Sequence, residues 1–490
     1  MRRIEAVGSA NDCYDLVVVG AGPAGLAAAA AASHLGLATL IADENPTPGG
    51  QIYRAVTTTP VQRRDVLGPA YWEGRALADE LEASECDYAP QTTIWSAEPS
   101  RDEDGNLLLP PLFDVGLSRN GRARIVRARR LVLATGALER PFPVPGWTLP
   151  GVLTAGAAQI ALKSSGLVPQ GRTVLAGSGP LLLLLADQLK RAGVEIVAAL
   201  DTTPATNRRE AWPHLVDFLR SPYAAYGLKL FAKAQVSLPI RSHVESLRIE
   251  GEDKVQRISF TRRGRQQSLE CDQVLLHQGV IPNVNMPNAL GCAQHWDEHA
   301  RAWTPSVDQW MQSSLPGIAI AGDGAGIAGA QSAALRGRIA ATAAAFETGH
   351  LDEAGRNRLA VPLFEESARY ARGRRFIDAL YRPAPSLLLP PDPSTIVCRC
   401  EEVRAGQIRD TVRQLHVEGP NQLKAYLRNG MGPCQGRLCG STVIELIAEA
   451  RGVPVEDVGY YRLRTPVKPI TLAEIASMPQ SQAAKNAVMR

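Results

Sequence analysis

Short apolar runs, each closed by a glycine-bearing turn, recur along the chain, and several lead into helix-forming stretches. Residues 16–19, Leu-Val-Val-Val, are too brief and too β-branched for a helix and suit a strand buried on both faces. Alanines 27–32 follow as a strong helix, and residues 38–42 as a second strand. The sequence predicts an amphipathic helix over 71–81 and a strand over 92–97. Turns at 102–106 and 119–121 complete a small β-meander. Further strands are expected at 130–134, 172–176 and 195–200, with a helix running to about 192 between the last two. Residues 235–280 read as strand-rich and end on another apolar run, 273–277. A strand over 316–321 and an alanine-rich helix over 330–347 follow. The oiliest cluster, 181–186, stops at Asp187-Gln188, so it starts a buried helix and is no membrane span.

Between the first strand and its helix stands Gly20-Ala21-Gly22-Pro23-Ala24-Gly25, which fills the G-x-G-x-x-G pattern. Gly20 permits the tight turn, Gly22 lets the backbone approach a pyrophosphate, and Gly25 lets helix and sheet pack closely. The helix N-terminus offers free N–H groups to phosphate. The second strand delivers Asp43, with Glu44 beside it, where an acid accepts a ribose hydroxyl. Strand, glycines, helix, strand and acid in that order predict a dinucleotide site.

A second copy of the pattern follows at Gly177-Ser178-Gly179-Pro180, but Leu182 replaces its third glycine. Leu200 occupies the place of the acid, with Asp201 one residue late. This site is left open between a second nucleotide, NAD(P)H included, and a Rossmann half kept for its packing. The fold class expected is therefore α/β, with two Rossmann-like domains and a small helical C-terminal domain.

Four of the eight cysteines crowd into the last hundred residues: Cys398-Arg399-Cys400, 33 residues, then Cys434-Gln-Gly-Arg437-Leu-Cys439. Two close pairs of thiolates suit a [2Fe–2S] cluster, two sulfurs to each iron. A glycine-rich loop around the second pair can turn N–H groups toward the sulfurs. Structural zinc is the rival, although Cys398-x-Cys400 is tighter than the usual C-x₂₋₄-C. Helices are expected between the pairs, at about 405–415 and 421–429. Positive charge from Arg399, Arg428 and Arg437 would favour a reduced cluster. Cys13, Cys86, Cys271 and Cys292 are scattered and read as small hydrophobes in a reducing compartment.

Composition narrows the function. At 490 residues two to four domains are expected, and 45% hydrophobic residues support substantial cores. A net charge of +4 and 5% aromatics point away from nucleic acid and anionic membranes. The N-terminus lacks the apolar core of a secretory signal, so a cytoplasmic protein is expected, with docking to the inner face of the membrane left open. No G-x-S-x-G, H-E-x-x-H or paired-carboxylate motif is present, and no catalytic acid or base is nominated. No C-x-x-C lies near the second Rossmann unit, so a reductase dithiol is absent. His295 and His299, the one histidine pair at helical spacing, lack a third ligand and read as solvated.

With these motifs the chain resembles two-dinucleotide flavoproteins, in particular the A (alpha) subunits of opine oxidase, hydroxyproline dehydrogenase and hydrogen cyanide synthase. The match rests on the Gly20 fingerprint, Pro48-Gly49-Gly50-Gln51-Ile52-Tyr53-Arg54, Thr135-Gly136, Gly322-Asp323, the four late cysteines and Pro466-Val-Lys-Pro-Ile470. The second cysteine pair is spaced C-x₄-C where free-standing bacterioferritin-associated ferredoxin has C-x₂-C. The resemblance implies FAD as the first dinucleotide, with Gly50 and Gln51 running past its pyrophosphate. Thr135-Gly136 would mark the crossover out of the FAD domain, and Gly322-Asp323 would lie beside the ribityl chain.

It divides the chain into an FAD domain in two parts (1–150 and 285–380) around an NAD-like domain (151–284). A Pro-rich linker (381–393), a [2Fe–2S] domain (394–452) and a tail (453–490) follow. It further implies a partner flavoprotein with its own flavin that oxidises an amino or imino acid, a small ferredoxin-like subunit, and a respiratory acceptor. Two other readings stand beside it: a self-sufficient NAD(P)H-dependent reductase, and an assembly subunit with vestigial sites.

Overall fold

The computed structural model describes residues 1–102 and 106–479. The predicted turn over 102–106 thus lies in part outside the described residues. The first strand, Cys13–Val19, sits centrally in an eight-stranded sheet. Thr39–Ala42 lies parallel on one side of it and Arg122–Leu133 on the other. The twelve-residue strand Arg122–Leu133 does two jobs. Its first part pairs antiparallel with Phe113–Arg119, giving the meander, and its last three residues pair in parallel with Ile318–Ile320. Both faces of the sheet are buried, as the continuous apolar runs require. Val17, Val19, Leu131 and Ile320 face one core; Leu16, Val18, Ile41 and Val132 face the other.

The second core is built on small residues. Helices Pro23–His34 and Ala330–Glu347 lie against each other, and a Cβ on Gly337 would overlap the Ala24 carbonyl oxygen. Alanine here is a packing requirement as well as a helix former. The helix expected over 71–81 is broken at Glu73 into Pro69–Trp72 and Gly74–Glu82. Gly74 lies flat on the Tyr53 ring, where any Cβ would overlap.

The second domain holds a five-stranded parallel sheet in which Thr173–Ser178 lies between Ile196–Asp201 and Gln273–Gln278. An antiparallel sheet of Val244–Glu250, Arg257–Arg262 and Arg265–Glu270 covers it. Two helical regions go beyond the sequence expectation. Residues 205–237 form Ala205–Ala211, Leu215–Leu219 and Tyr223–Ser237, and Glu353–Leu380 is a 28-residue helix that packs on them. The latter therefore belongs as much to the second domain as to the second part of the first.

The Pro-rich segment 381–393 is not a free linker. Leu387 and Leu388 are buried, Leu387 within the second domain's core, and Asp392 pairs with Arg248 at 2.8 Å. The C-terminal helical domain beyond it is docked. Helices Ala405–Leu415, Pro420–Leu427 and Gly440–Arg451 share their core with Trp296 of the strand Gln294–Asp297. Trp147 Nε1 donates to the Ile396 carbonyl at 2.8 Å, and Arg301 meets the buried Glu445 at 2.5 Å. His295 lies on that strand and His299 in the turn after it, both exposed, so their spacing is not helical. The start of the tail is likewise packed: Tyr461 and Val467 are buried, and Val467 N–H donates to the Trp95 carbonyl.

Candidate functional site

The Gly20–Gly25 turn separates glycines needed by the fold from one needed by a ligand. A Cβ on Gly20 would lie 2.6 Å from the Ala134 carbonyl oxygen, and one on Gly25 would overlap the Gly20 carbonyl. Gly20 also has φ +102°, which excludes ordinary side chains. On Gly22, by contrast, a Cβ would meet nothing closer than Gly50 Cα at 3.8 Å. Its backbone faces open space at the start of Pro23–His34, which fits a pyrophosphate at a helix N-terminus. Gly50 closes the same gap from the other side, and its own Cβ would press on Gly22 Cα at 2.7 Å.

Asp43 ends its strand as expected, but its carboxylate is already engaged. Ala21 N–H donates to one oxygen at 2.6 Å, and the Asn45 backbone and side chain donate to the other. It holds the Gly20–Gly25 turn against the second strand, with one lone-pair site left over, enough for a single sugar hydroxyl. Glu44 is half-exposed and pairs with Lys468 of the tail at 2.8 Å. Arg54 Nε is buried without a hydrogen-bond partner, in the field of Asp43. An orphaned guanidinium nitrogen in the field of the carboxylate that holds the Gly20–Gly25 turn fits an anionic ligand.

Thr135 and Gly136 are clasped by the segment that returns from the second domain. Asn283 N–H donates to the Gly136 carbonyl at 3.0 Å, and Thr135 Oγ1 donates to the Asn283 carbonyl at 3.3 Å. Gly322 packs on Ala24. Asp323 accepts from the N–H groups of Ala328 and Gly329, at 2.8 and 3.0 Å, just ahead of the helix Ala330–Glu347.

In the second fingerprint Gly177 answers to the protein's own backbone, and Gly179 to its φ of +115°. A Cβ on Gly177 would overlap the His277 carbonyl oxygen, and one on Gly179 would stand 3.6 Å from the His277 ring. That ring is buried and paired with Glu139 at 2.6 Å. Asp201 accepts from Thr203 N–H.

The four late cysteines come together. Cys398 is engaged by the Cys439 thiol, and Cys400 by Cys434. The Cys439 contact, helped by N–H groups of Gly430, Glu401 and Cys400, holds Cys398 down to about 6 although burial pushes it up. Cys439 is driven well above its ordinary value by Cys398 and by burial. Four thiols crowded enough to repel one another's ionised forms, with backbone N–H groups turned on a sulfur, suit a cationic metal core. The thiols stand as two pairs. Among the described residues no group of three or more His, Cys, Asp or Glu side chains is placed to hold a metal ion.

The loop's glycines serve packing too. Cβ atoms on Gly430 and Gly436 would press on Tyr461, one on Gly440 on Tyr460, and one on Gly432 on Cys400. Of the expected cations, Arg428 pairs with Glu401, Arg399 lies over the Trp147 ring at 5.3 Å, and Arg437 reaches toward the Val467 carbonyl.

One contact, absent from the sequence reading, joins the two sites. Asn285 Nδ2 donates to the Gln435 carbonyl at 3.1 Å, linking the cysteine loop to the segment that clasps Gly136.

Residues 14–349 match the pyridine nucleotide-disulphide oxidoreductase family, and residues 396–449 the BFD-like [2Fe-2S] binding domain. All of the chain aligns, at 48% identity, with 92% of the opine oxidase A subunit of Rhizobium meliloti. The chain belongs to the opine oxidase A-subunit family.

Another member, from Agrobacterium tumefaciens, is 46% identical over the whole chain and 96% of its own length. The HcnB subunit of hydrogen cyanide synthase from Pseudomonas protegens is 29% identical over 93% of this chain and 96% of that one. Among solved structures, L-proline dehydrogenase from P. horikoshii shares the fold, with a TM-score of 0.68 at 18% identity over 97% of this chain and 80% of that one.

This opine oxidase homologue is an oxidoreductase whose cofactors are FAD and a [2Fe–2S] cluster. When bound, the two supply a two-electron carrier and a one-electron carrier. Among the described residues no helix is long and apolar enough to cross a membrane.

Sequence reasoning missed Asn283, Asn285, Tyr460 and Tyr461 as site residues. The asparagines carry no local signal, whereas glycines at 430, 432, 436 and 440 do mark a loop pressed against large rings.

Proposed function

We propose that this chain is the electron-transfer component of a multi-subunit amino- or imino-acid dehydrogenase of the opine oxidase or D-hydroxyproline dehydrogenase type. A partner flavoprotein oxidises the substrate, and this chain passes the electrons to a respiratory acceptor, with a small ferredoxin-like subunit completing the assembly. The observation that carries the reading is the Asn285–Gln435 contact, which sets the cysteine loop against the Thr135-Gly136 crossover. The residues assigned to FAD are Gly20, Gly22, Pro23, Ala24, Gly25, Asp43, Glu44, Gly50, Gln51, Thr135, Gly136, Gly322 and Asp323. Cys398, Cys400, Cys434 and Cys439 are assigned to the cluster.

A nicotinamide donor at Gly177 and Gly179 is less well supported, because the His277 carbonyl accounts for the first of these glycines and Leu200 stands at the acid's place. The deciding experiment compares the isolated chain with the co-expressed complex in an anaerobic dye-reduction assay, using a panel of opines and hydroxyprolines. The isolated chain should be coloured and inactive, and the complex active. Substrate turnover by the chain alone, or rapid flavin bleaching by NADH or NADPH, would overturn the assignment.

A further inference from the structure

The helix Ala155–Ser165 of the second domain carries a lysine where its neighbours are core residues. Ala155, Ala158, Gln159, Leu162 and Lys163 are all buried, and Lys163 is only 2% exposed. A buried ammonium is costly unless each of its three donors is satisfied. Here they are: Lys163 Nζ donates to the Ile52 carbonyl at 2.8 Å, to the Gln51 carbonyl at 3.3 Å and to Gln159 Oε1 at 2.8 Å. The polar chain continues inward. Gln159 Nε2 donates to Gln188 Oε1, and Gln188 Nε2 to the Leu67 carbonyl. Lys163 also stands 5.7 Å from the centre of the Tyr71 ring, whose hydroxyl donates to the Arg54 carbonyl.

Lysine and tyrosine together thus hold three carbonyls of the segment 51–54, and the adjoining Gly50 is pressed onto Gly22. Two of those carbonyls are held by a side chain from the other Rossmann domain, itself braced by the two glutamines. Nothing in the packing of that helix calls for a cation, since methionine would fill the volume among Leu162, Tyr71 and Gln159 without a desolvation cost. We propose that Lys163 is a positioning residue for the flavin: it pins the residue 49–54 loop against the Gly20–Gly25 turn and so sets how firmly FAD is retained. In this arrangement the second domain, whatever it binds, acts as the loop's anchor. Burial, with the Arg54 charge nearby, holds Lys163 down to about 7, so near neutral pH the amine is part charged and part neutral, and holding the charge here costs stability.

The test uses the full-length protein with both cofactors loaded. FAD release is followed by the recovery of flavin fluorescence on dilution, with iron content and the visible cluster spectrum read from the same sample. Lys163→Met should release FAD at least about tenfold faster while iron and the cluster spectrum stay at wild-type levels, and Lys163→Arg should recover part of the retention. Wild-type release from Lys163→Met would overturn the proposal. So would parallel loss of flavin and iron, which marks general destabilisation. Should Lys163→Met fail to fold, Gln159→Ala decides: faster FAD release with iron retained supports the proposal, and unchanged release ends it.

Discussion

Asn285 lies two residues beyond Asn283 and donates its side-chain amide to the carbonyl of Gln435, next to Cys434. Asn283 in turn bonds the Gly136 carbonyl. Two asparagines on one short segment therefore touch Gly136 and the cysteine loop together. Asn285 is 3% exposed, so its amide has little access to water as an alternative partner. Replacing it with alanine leaves the Gln435 carbonyl short of a donor and frees the loop from the crossover. The expected cost is roughly 1–3 kcal/mol, as for a buried group left unsatisfied. Asn285→Ala should keep its flavin and iron, yet equilibrate electrons between them more slowly in stopped-flow reduction. Equilibration at the wild-type rate would show that the contact does not set the spacing.

The glycines of the first fingerprint should separate by phenotype. Gly25→Ala places a methyl group into the Gly20 carbonyl, a backbone atom that cannot swing away. Its cost should reach or exceed ~3 kcal/mol, the upper end for overpacking, and little soluble protein is expected. Gly22→Val should fold, because the space beside Gly22 is open, and should purify without flavin. Thermal melting and the flavin-to-protein absorbance ratio distinguish the two. Normal flavin content in Gly22→Val would remove the pyrophosphate from this turn.

Much of the architecture could be read from the chain because parallel α/β units are spelled locally. The run Leu16-Val17-Val18-Val19 needs burial on both faces, and the helix expected over 330–347 is found as Ala330–Glu347. The helix Ala405–Leu415 likewise begins and ends where its apolar spacing does. What stayed hidden depends on tertiary contact. Glu353–Leu380 carries 28 residues with an internal Pro362 and no clean apolar face, since it packs on several helices at once. Proline in 381–393 suggested a spacer, yet Leu387 and Leu388 anchor it. Lys163 had one visible signal, a cation in register with Ala155, Gln159 and Leu162, but its acceptors include backbone carbonyls more than a hundred residues away.

The buried ammonium of Lys163 also predicts a pH dependence. Burial first, and the Arg54 charge second, hold it down to about 7, whereas an unfolded chain's lysine titrates near ~10.4. Between those values the unfolded state binds the extra proton, so stability rises with pH. The groups facing Lys163 do not titrate in that window: Tyr71 is pushed by burial to about 12, Arg54 stays charged, and Gln159 and the loop carbonyls are neutral. Flavin-free protein should therefore gain at most ~1.4 kcal/mol per pH unit from this group between about pH 7 and 10. Urea midpoints at about pH 7, 8 and 9 measure it, and Lys163→Met should flatten the series. An unchanged slope in the variant would place the titration elsewhere.

Cys434→Ser should empty the cluster site without emptying the flavin site. A serine hydroxyl is a poor substitute for a thiolate toward iron, and the paired arrangement leaves Cys400 without its neighbour. The domain should nevertheless stay docked, because its attachment does not run through the cysteines. Arg301 and Glu445 form a buried ion pair whose breakage would itself cost about 3–5 kcal/mol, Trp147 bonds the Ile396 carbonyl, and Trp296 lies within the cluster domain's core. The Gly20–Gly25 turn, where FAD is proposed to bind, is not among these contacts. Anaerobically purified wild type should contain about two irons per chain and give a spin-resonance signal on reduction. Cys434→Ser should lose both and keep its flavin absorbance and its protease resistance across residues 381–393. If flavin leaves together with iron, the two sites are more tightly coupled than the packing implies; if zinc replaces iron in the wild type, the cluster itself is wrong.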